Sequence, residues 1–515
     1  MEFFDVVGSF GPWQRRVFVV FWFVNMLGIF QNFSITFLAP NMDFRCVEPA
    51  PWQGNSSADF VFDARCEVLQ EDNTTIKCTR WEYDLSETSE TIVSKWDLVC
   101  DQEWLISLTK SVYMVGFLLS VSFFGLVSDC LGRFPALVMC YVINIFSMFG
   151  SLLSTSYIMF IVLRFFQAFG RAGITTIGYV LVMETVGPKH RAEVGIAVQL
   201  GWSTGFVGLA AVVWFIRDWF WLQLFLSCTF LPFLLTYNIV PESPRWLAMH
   251  GKTERLEKLM TKVAALNGKE LKGDIRDLDL FKDKKEKTET LWGLLKKPKM
   301  RNRFLKMIYL WMVNAFLYYG VSYNTNDLAG NPYLNFFVAG VVEFPCRGLV
   351  FLSIKWWGRR PTISCFMGVC SAAFGAMLLV PQGVPWLSTT LAMVGKFCVT
   401  GSFSLLYLYT TEAFPTVVRN IVLGSCSMCA RFGSILAPFS RELGRATHPF
   451  VPIALYAVLS LSGSLLTLLL PETRGQDMPD SLQDGEDLGK VIEKKEQDRT
   501  TSNAKQSSTE MDSQL

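Results

Sequence analysis

Apolar residues in this chain run unbroken over helical lengths instead of alternating or recurring as a stripe. Such runs occupy residues 17–39, 104–127, 134–154, 157–183, 192–216, 219–240, 305–323, 333–355, 361–381, 386–411, 420–444 and 449–470. Each is long enough to cross a hydrocarbon core of about 30 Å at about 1.5 Å per residue, and a helix satisfies its own backbone there. Glycines and prolines within them (Gly201, Gly205, Gly208, Pro345, Pro438) suit close helix packing in a bilayer. The pattern predicts an all-α membrane protein of twelve transmembrane helices in two six-helix halves. A short N-terminal segment, 1–16, precedes a first half at 17–240 that contains a long polar loop, 41–103. A charged connector, 241–304, leads to the second half at 305–470, and a polar tail follows at 471–515.

The halves repeat one another. Gly132-Arg133 recurs at Gly358-Arg359-Arg360, Glu184 with Arg191 at Glu412 with Arg419, and Pro241-Glu242 at Pro471-Glu472, at offsets of 226, 228 and 230 residues. A near-constant offset across three motifs marks a duplicated unit. Six spans repeated as six more are the architecture of a secondary transporter.

Composition agrees: 51% of residues are hydrophobic, only 18% are charged, and 43 are phenylalanine. A soluble chain of this length carries more charge. The formal net charge of +2 hides a segregation that orients the chain. Loop 41–103 holds five Lys/Arg against fourteen Asp/Glu, whereas 245–303 holds seventeen Lys/Arg, Lys284, Lys285, Lys287, Lys296 and Lys297 among them. The excess of basic residues predicts a cytoplasmic connector, cytoplasmic termini and an extracellular first loop. The connector mixes Glu with Lys at helical spacing over 253–266 and again near 288–299. This reads as amphipathic helices lying at the membrane surface and not as a nucleic-acid interface. The tail, almost free of aromatics, reads as disordered.

Cysteine placement is an independent check on orientation. Cys46, Cys66, Cys78 and Cys100 all fall in the first loop, predicting two disulfides in an oxidising compartment with three pairings possible. Sequons at Asn55 and Asn73 fall in the same loop and predict glycosylation; that at Asn32 lies within the first span and is expected to be silent. The three histidines are dispersed, and no Cys/His cluster has metal spacing, so no metal or other cofactor is expected. No nucleotide loop or nucleophile-base set is present, which disfavours an ATP-driven pump or an enzyme. The first span is read as a signal anchor, since no cleavable leader is evident.

Gly125-Leu-Val-Ser-Asp129-Cys-Leu-Gly132-Arg133 resembles the loop motif of the major facilitator superfamily, with Cys130 where a basic residue is common. More specific are the cysteine-bearing first loop ending Trp96-Asp-Leu-Val-Cys100-Asp, Pro241-Glu-Ser-Pro-Arg-Trp-Leu247, Thr411-Glu-Ala-Phe-Pro-Thr-Val-Val-Arg419 and Pro471-Glu-Thr-Arg-Gly475. Together these closely resemble the organic cation, anion and zwitterion (carnitine) transporters of that superfamily, over residues 1 to about 480. The resemblance implies alternating access at the plasma membrane, a small organic ion as substrate, a coupling ion or counter-substrate, and a monomeric transport unit in the bilayer. It implies gating roles for Asp129, Arg133, Glu184, Arg191, Arg359, Glu412 and Arg419. Arg164, in Arg164-Phe-Phe-Gln167, joins them as an ionisable group inside a span, or else snorkels to the outer surface. A receptor that has lost transport is the binding-module alternative.

Arg431 resembles the position where anion and zwitterion carriers have Arg and cation carriers tend to have Asp. A guanidinium can fork onto a carboxylate; the competing reading is a structural ion pair. Glu343 and Arg347, four apart in span eight, share a helix face, and either line the site or neutralise each other. Trp202, Tyr318, Tyr319, Phe403 and Tyr407 fall where relatives line the cavity, with Lys396 as a further candidate, although each aromatic could equally be helix packing. Aromatic walls would stack a quaternary ammonium. The substrate expected is an organic anion or a zwitterion such as carnitine, with an organic cation as the alternative.

Overall fold

Helix starts along the chain are set by local chemistry. Pro12, Pro298 and Pro385 each open a helix at a position that needs no N–H donor. Ser156, Asp218 and Asn331 accept from backbone N–H groups of the first turns that follow them. The computed structural model describes residues 4, 7–49, 66–69, 75–85, 89–233, 240–269, 290–381, 383–476, 479 and 481–486. Its spanning helices are α1 (Pro12–Phe33), α2 (Trp104–Leu131), α3 (Arg133–Leu152), α4 (Tyr157–Thr185), α5 (Arg191–Phe215), α6 (Trp219–Phe230), α7 (Pro298–Tyr323), α8 (Pro332–Trp356), α9 (Arg359–Met377), α10 (Pro385–Ala413), α11 (Thr416–Leu436) and α12 (Phe450–Leu468). Ten segments of the described residues are long and apolar enough by themselves to cross a membrane. The other two spans are α6, apolar but described only in part, and α9, which is less apolar.

The halves are built alike: α1 packs on α5 and α7 on α11, while α2 and α3 flank α4. Large hydrophobics such as Phe146, Phe215, Phe351 and Leu379 remain exposed on the outside, as a lipid-facing surface requires. Loop residues form a three-stranded antiparallel sheet, β1 (Phe44–Pro49), β2 (Glu67–Leu69) and β3 (Thr75–Tyr83), in the order β1-β3-β2. Of the three possible cysteine pairings, the structure forms Cys46–Cys78 and Cys66–Cys100. The second bridge ties the sheet to the start of α2, beside an exposed Lys77–Asp101 ion pair at 2.6 Å. In the same sheet, burial and a hydrogen bond to Asp97 push the Tyr83 phenol up.

This sheet marks one end of the bundle, here the loop end; the Gly132 and Gly358 turns mark the other, the turn end. The halves are joined at the loop end. Arg441, in the helical extension Phe439–Ala446, reaches Glu103 at 3.6 Å and also bonds Asn41. Arg445 reaches Glu103 at 2.5 Å, and the Ser107 and Ser111 hydroxyls donate to Glu442 and the Ile435 carbonyl.

Two expectations change. The apolar face of helix Thr253–Leu266 (Leu256, Met260, Val263, Ala264) is covered by protein and not turned to lipid. The Asn267 side chain anchors it, accepting from Trp13 N–H at 3.0 Å and donating to the Val7 carbonyl at 2.8 Å. Arg164 does not snorkel: it is wholly buried, because Gln31, Ser34 and Gln167 offer it oxygens inside the bundle. Asn55, Asn73, Lys284, Lys285 and Lys287 lie outside the described residues. Asn32 is buried and accepts from the Tyr113 hydroxyl at 2.7 Å.

Candidate functional site

At the turn end the repeated motifs assemble into the same device twice. Gly132 and Gly358 adopt φ of +111° and +97°, a conformation that favours glycine. The space a Cβ would need is taken by the carboxylates of Glu242 and Glu472. Glu242 accepts from the backbone N–H of Arg133 and Phe134, and Glu472 from that of Arg359 and Arg360. Each carboxylate thus caps the positive end of the helix that follows, α3 or α9. The arginine so positioned reaches back across its own half: Arg133 pairs with Asp129 at 2.6 Å and Glu184 at 3.2 Å, and Arg359 with Glu412 at 2.8 Å. Arg191 and Arg419 support the same joints by donating to backbone carbonyls, Met183 and Val186 for the first and Phe414 for the second. These ion pairs each stay within one half, unlike those at the loop end. Arg164 is near neither cluster; it sits toward the other end of α4.

Midway along the bundle the structure brings all nine candidate substrate residues into one connected group. Glu343, fully buried, accepts from the Tyr318 hydroxyl at 2.8 Å and the Ser203 hydroxyl at 2.9 Å. It lies 3.4 Å from Lys396 Nζ and 3.5 Å from Arg347 Nη2, so it neutralises Arg347 only in part. Lys396 is fully buried over the Tyr318 ring at 3.5 Å and donates to Ser322. Trp202 crosses from the first half, its indole N–H donating to the Tyr318 hydroxyl at 2.7 Å. Phe403 stacks on Tyr318 with centroids 6.1 Å apart and meets Tyr407 at 5.7 Å. Tyr319 links this group to Arg431, whose Nη1 is 3.5 Å from the Tyr319 hydroxyl. The Arg431 guanidinium also lies over the Phe117 ring of α2 at 4.2 Å, its Nε has no partner, and among the described residues no carboxylate pairs with it. The ion-pair reading of Arg431 is therefore not what the structure forms.

Sequence reading missed two basic residues in the first half. Lys110 is buried two turns into α2, with its ammonium over the Tyr323 ring at 5.3 Å. Arg171 lies seven residues after Arg164 on the same face of α4 and is wholly buried. Two basic residues at that spacing inside an apolar run were the available signal. Toward the loop end a cavity of about 740 Å³ lies between the halves, lined by Phe44, Glu103, Asn324, Asp327, Arg441 and Tyr456 among others.

Two like six-helix halves, sealed across one end and holding charged and aromatic side chains at their meeting face, define a membrane transporter of the major facilitator class. Residues 60–480 match the family described as "Sugar (and other) transporter". The chain is 34% identical to an organic cation transporter protein of Drosophila melanogaster, over 95% of each chain. It is 31% identical to organic anion transporter 3 of Oryctolagus cuniculus, over 94% of this chain and 93% of that one. The xylose transporter of E. coli, in an inward-open conformation, superposes with a TM-score of 0.63 at 14% identity, covering 92% of this chain and all of that one. The chain belongs to the sugar and other transporters and, within them, to the solute carrier family of organic cation and organic anion transporters. It is a transporter and not an enzyme.

Proposed function

We propose that the chain carries small organic anions or zwitterions such as carnitine across the plasma membrane, driven by exchange or an ion gradient, with Arg431 holding the carboxylate. One observation supports this most: the ionisable residues well inside the spans are Lys110, Arg164, Arg171, Arg347, Lys396 and Arg431, against Glu343 alone. A basic side chain at the centre of a bilayer helix costs about 2.5–3.5 kcal/mol unless it meets water or an anion. A bundle interior with such an excess attracts negative charge. Tyr318, Tyr319, Trp202, Phe403 and Tyr407 would pack the rest of the substrate, including a quaternary ammonium. A second reading, organic cation transport, draws on relatives that bear that name at 34% and 32% identity. Glu343 is the one acidic group well inside the described spans, away from their ends, and that carboxylate is already taken up by Lys396, Arg347, Tyr318 and Ser203. Uptake of radiolabelled benzoate, carnitine and tetraethylammonium by cells expressing the chain is the test. Benzoate or carnitine should accumulate; tetraethylammonium alone would overturn the reading.

In this proposal the loop end faces outside and the turn end the cytoplasm, with both termini there and 17–240 and 305–470 as the rocking halves. Arg133 with Asp129 and Glu184, and Arg359 with Glu412, then act as latches at the cytoplasmic end, supported by Arg191 and Arg419. The glycosidase-sensitive shift in gel mobility should vanish when Asn55 and Asn73 are both replaced by Gln. A shift that persists would place the first loop elsewhere.

A further inference from the structure

Lys110 is a buried cation without a counter-charge. Its side chain, on α2 of the first half, makes no hydrogen bond or ion pair among the described residues. Its ammonium lies 5.3 Å from the centre of the Tyr323 ring, on α7 of the second half. The ring face is the only compensation this position offers, and a buried ammonium so held is expensive. On the loop side, the cavity of about 740 Å³ is lined by Ile106, one turn before Lys110, and by Val321 and Asn324, on either side of Tyr323 in the chain. On the other side, Tyr323 meets Tyr319 with ring centroids 5.8 Å apart, and the Tyr319 hydroxyl is 3.5 Å from Arg431 Nη1. Phe117, two turns beyond Lys110 on α2, lies beneath the Arg431 guanidinium at 4.2 Å. Lys110 therefore stands in the layer between the cavity and Arg431. Here that layer is shut: Ser107 and Ser111, on either side of Lys110 in the chain, donate to Glu442 at 2.8 Å and to the Ile435 carbonyl at 2.6 Å, both in the second half.

We infer that Lys110 is the loop-side anion subsite, the point at which the carboxylate of a substrate entering through the cavity is held before it reaches Arg431. This rests on the anion reading above and adds the residue that receives the substrate on one side of the membrane. Lys110 and Tyr323 belong to different halves, so parting the halves at the loop end draws the ring from the ammonium and opens the cavity onto it. A carboxylate then supplies the charge that the ring only approximates. A compact ammonium on a flexible stem suits this first, loosely oriented hold, and the fork of Arg431 suits the final one. The contact exists only while the loop end is open. It adds affinity for substrate arriving from that side and none for substrate arriving from the turn end, a differential affinity between two states.

The test compares wild type, Lys110→Gln and Lys110→Arg, using radiolabelled benzoate or carnitine, whichever wild type carries. KM is measured from the loop side by uptake into cells and from the turn side by uptake into inside-out vesicles. Surface biotinylation and thermal stability are followed in parallel. Lys110→Gln should raise the loop-side KM about tenfold or more, as loss of a charge-assisted contact requires, and change the turn-side KM less than about threefold. Lys110→Arg, which keeps the charge, should stay within about threefold of wild type on both sides. Lys110→Gln should reach the surface and be at least as stable as wild type, because an uncompensated buried charge has gone. An unchanged loop-side KM, a rise equal on both sides or confined to the turn side, or loss of Lys110→Gln from the surface overturns the inference and leaves the anion reading intact. Failure of wild type to carry either compound overturns both.

Discussion

Arg431→Asp should abolish uptake of organic anions, by about a hundredfold or more, while the protein still reaches the cell surface. Two charge-assisted hydrogen bonds at about 1.5–3 kcal/mol each would be lost, and a like charge would face the carboxylate in their place. Folding should tolerate the change because among the described residues no carboxylate pairs with Arg431, whose guanidinium meets the Tyr319 hydroxyl and the Phe117 ring. Uptake and surface biotinylation, measured together, separate the two effects. Anion uptake at the wild-type rate would mean that the excess of basic residues serves packing and not substrate.

The features legible in the sequence are those whose chemistry is local. Gly132 with Arg133 and Gly358 with Arg359 announce themselves because a positive φ and a helix start demand particular residues at adjacent positions. Pro241-Glu242 and Pro471-Glu472 were visible as repeated motifs, but their partners lie 109 and 113 residues away in the chain, so their capping role was not. The same distance in sequence hid the bond between Lys396 and Glu343, which come together only when α10 packs on α8. Arg171 was hidden differently. Its burial depends on a missing side chain at Gly28, on another helix, and no pattern along α4 reveals that.

The loop-end contacts also escaped a sequence reading, since Arg441 and Arg445 look like ordinary charges at the end of a span. In the structure they bring Glu103 and Asn41 of the first half against the second. The turn-end ion pairs Arg133–Asp129, Arg133–Glu184 and Arg359–Glu412 do not cross. A rocking transporter needs this asymmetry: contacts between the halves must form at one end while the other end is held only by bonds internal to each half. Charges that join the halves at the loop end must separate for that end to open. Arg445 is exposed and Arg441 and Glu103 are half-buried, so water at that end can replace these partners as the pairs part.

Glu343→Ala should be the most destructive single substitution in the core, for a reason unrelated to substrate. It would leave Lys396, fully buried, and Arg347, mostly so, without their shared carboxylate. It would also strip an acceptor from Tyr318 and Ser203. Breaking a buried pair by removing one partner costs about 3–5 kcal/mol, enough to deplete the protein from the surface. Glu343→Leu combined with Lys396→Met should recover much of the loss, because the buried acid then leaves with one of its two bases and apolar groups fill the volume. Lys396→Met alone should be mild, since Arg347 still balances Glu343. Surface expression and thermal stability of the four proteins, wild type included, decide the matter. If Glu343 instead held a cationic substrate, Glu343→Ala would fold normally and lose only cation uptake. That outcome would reverse the sign assigned to the site.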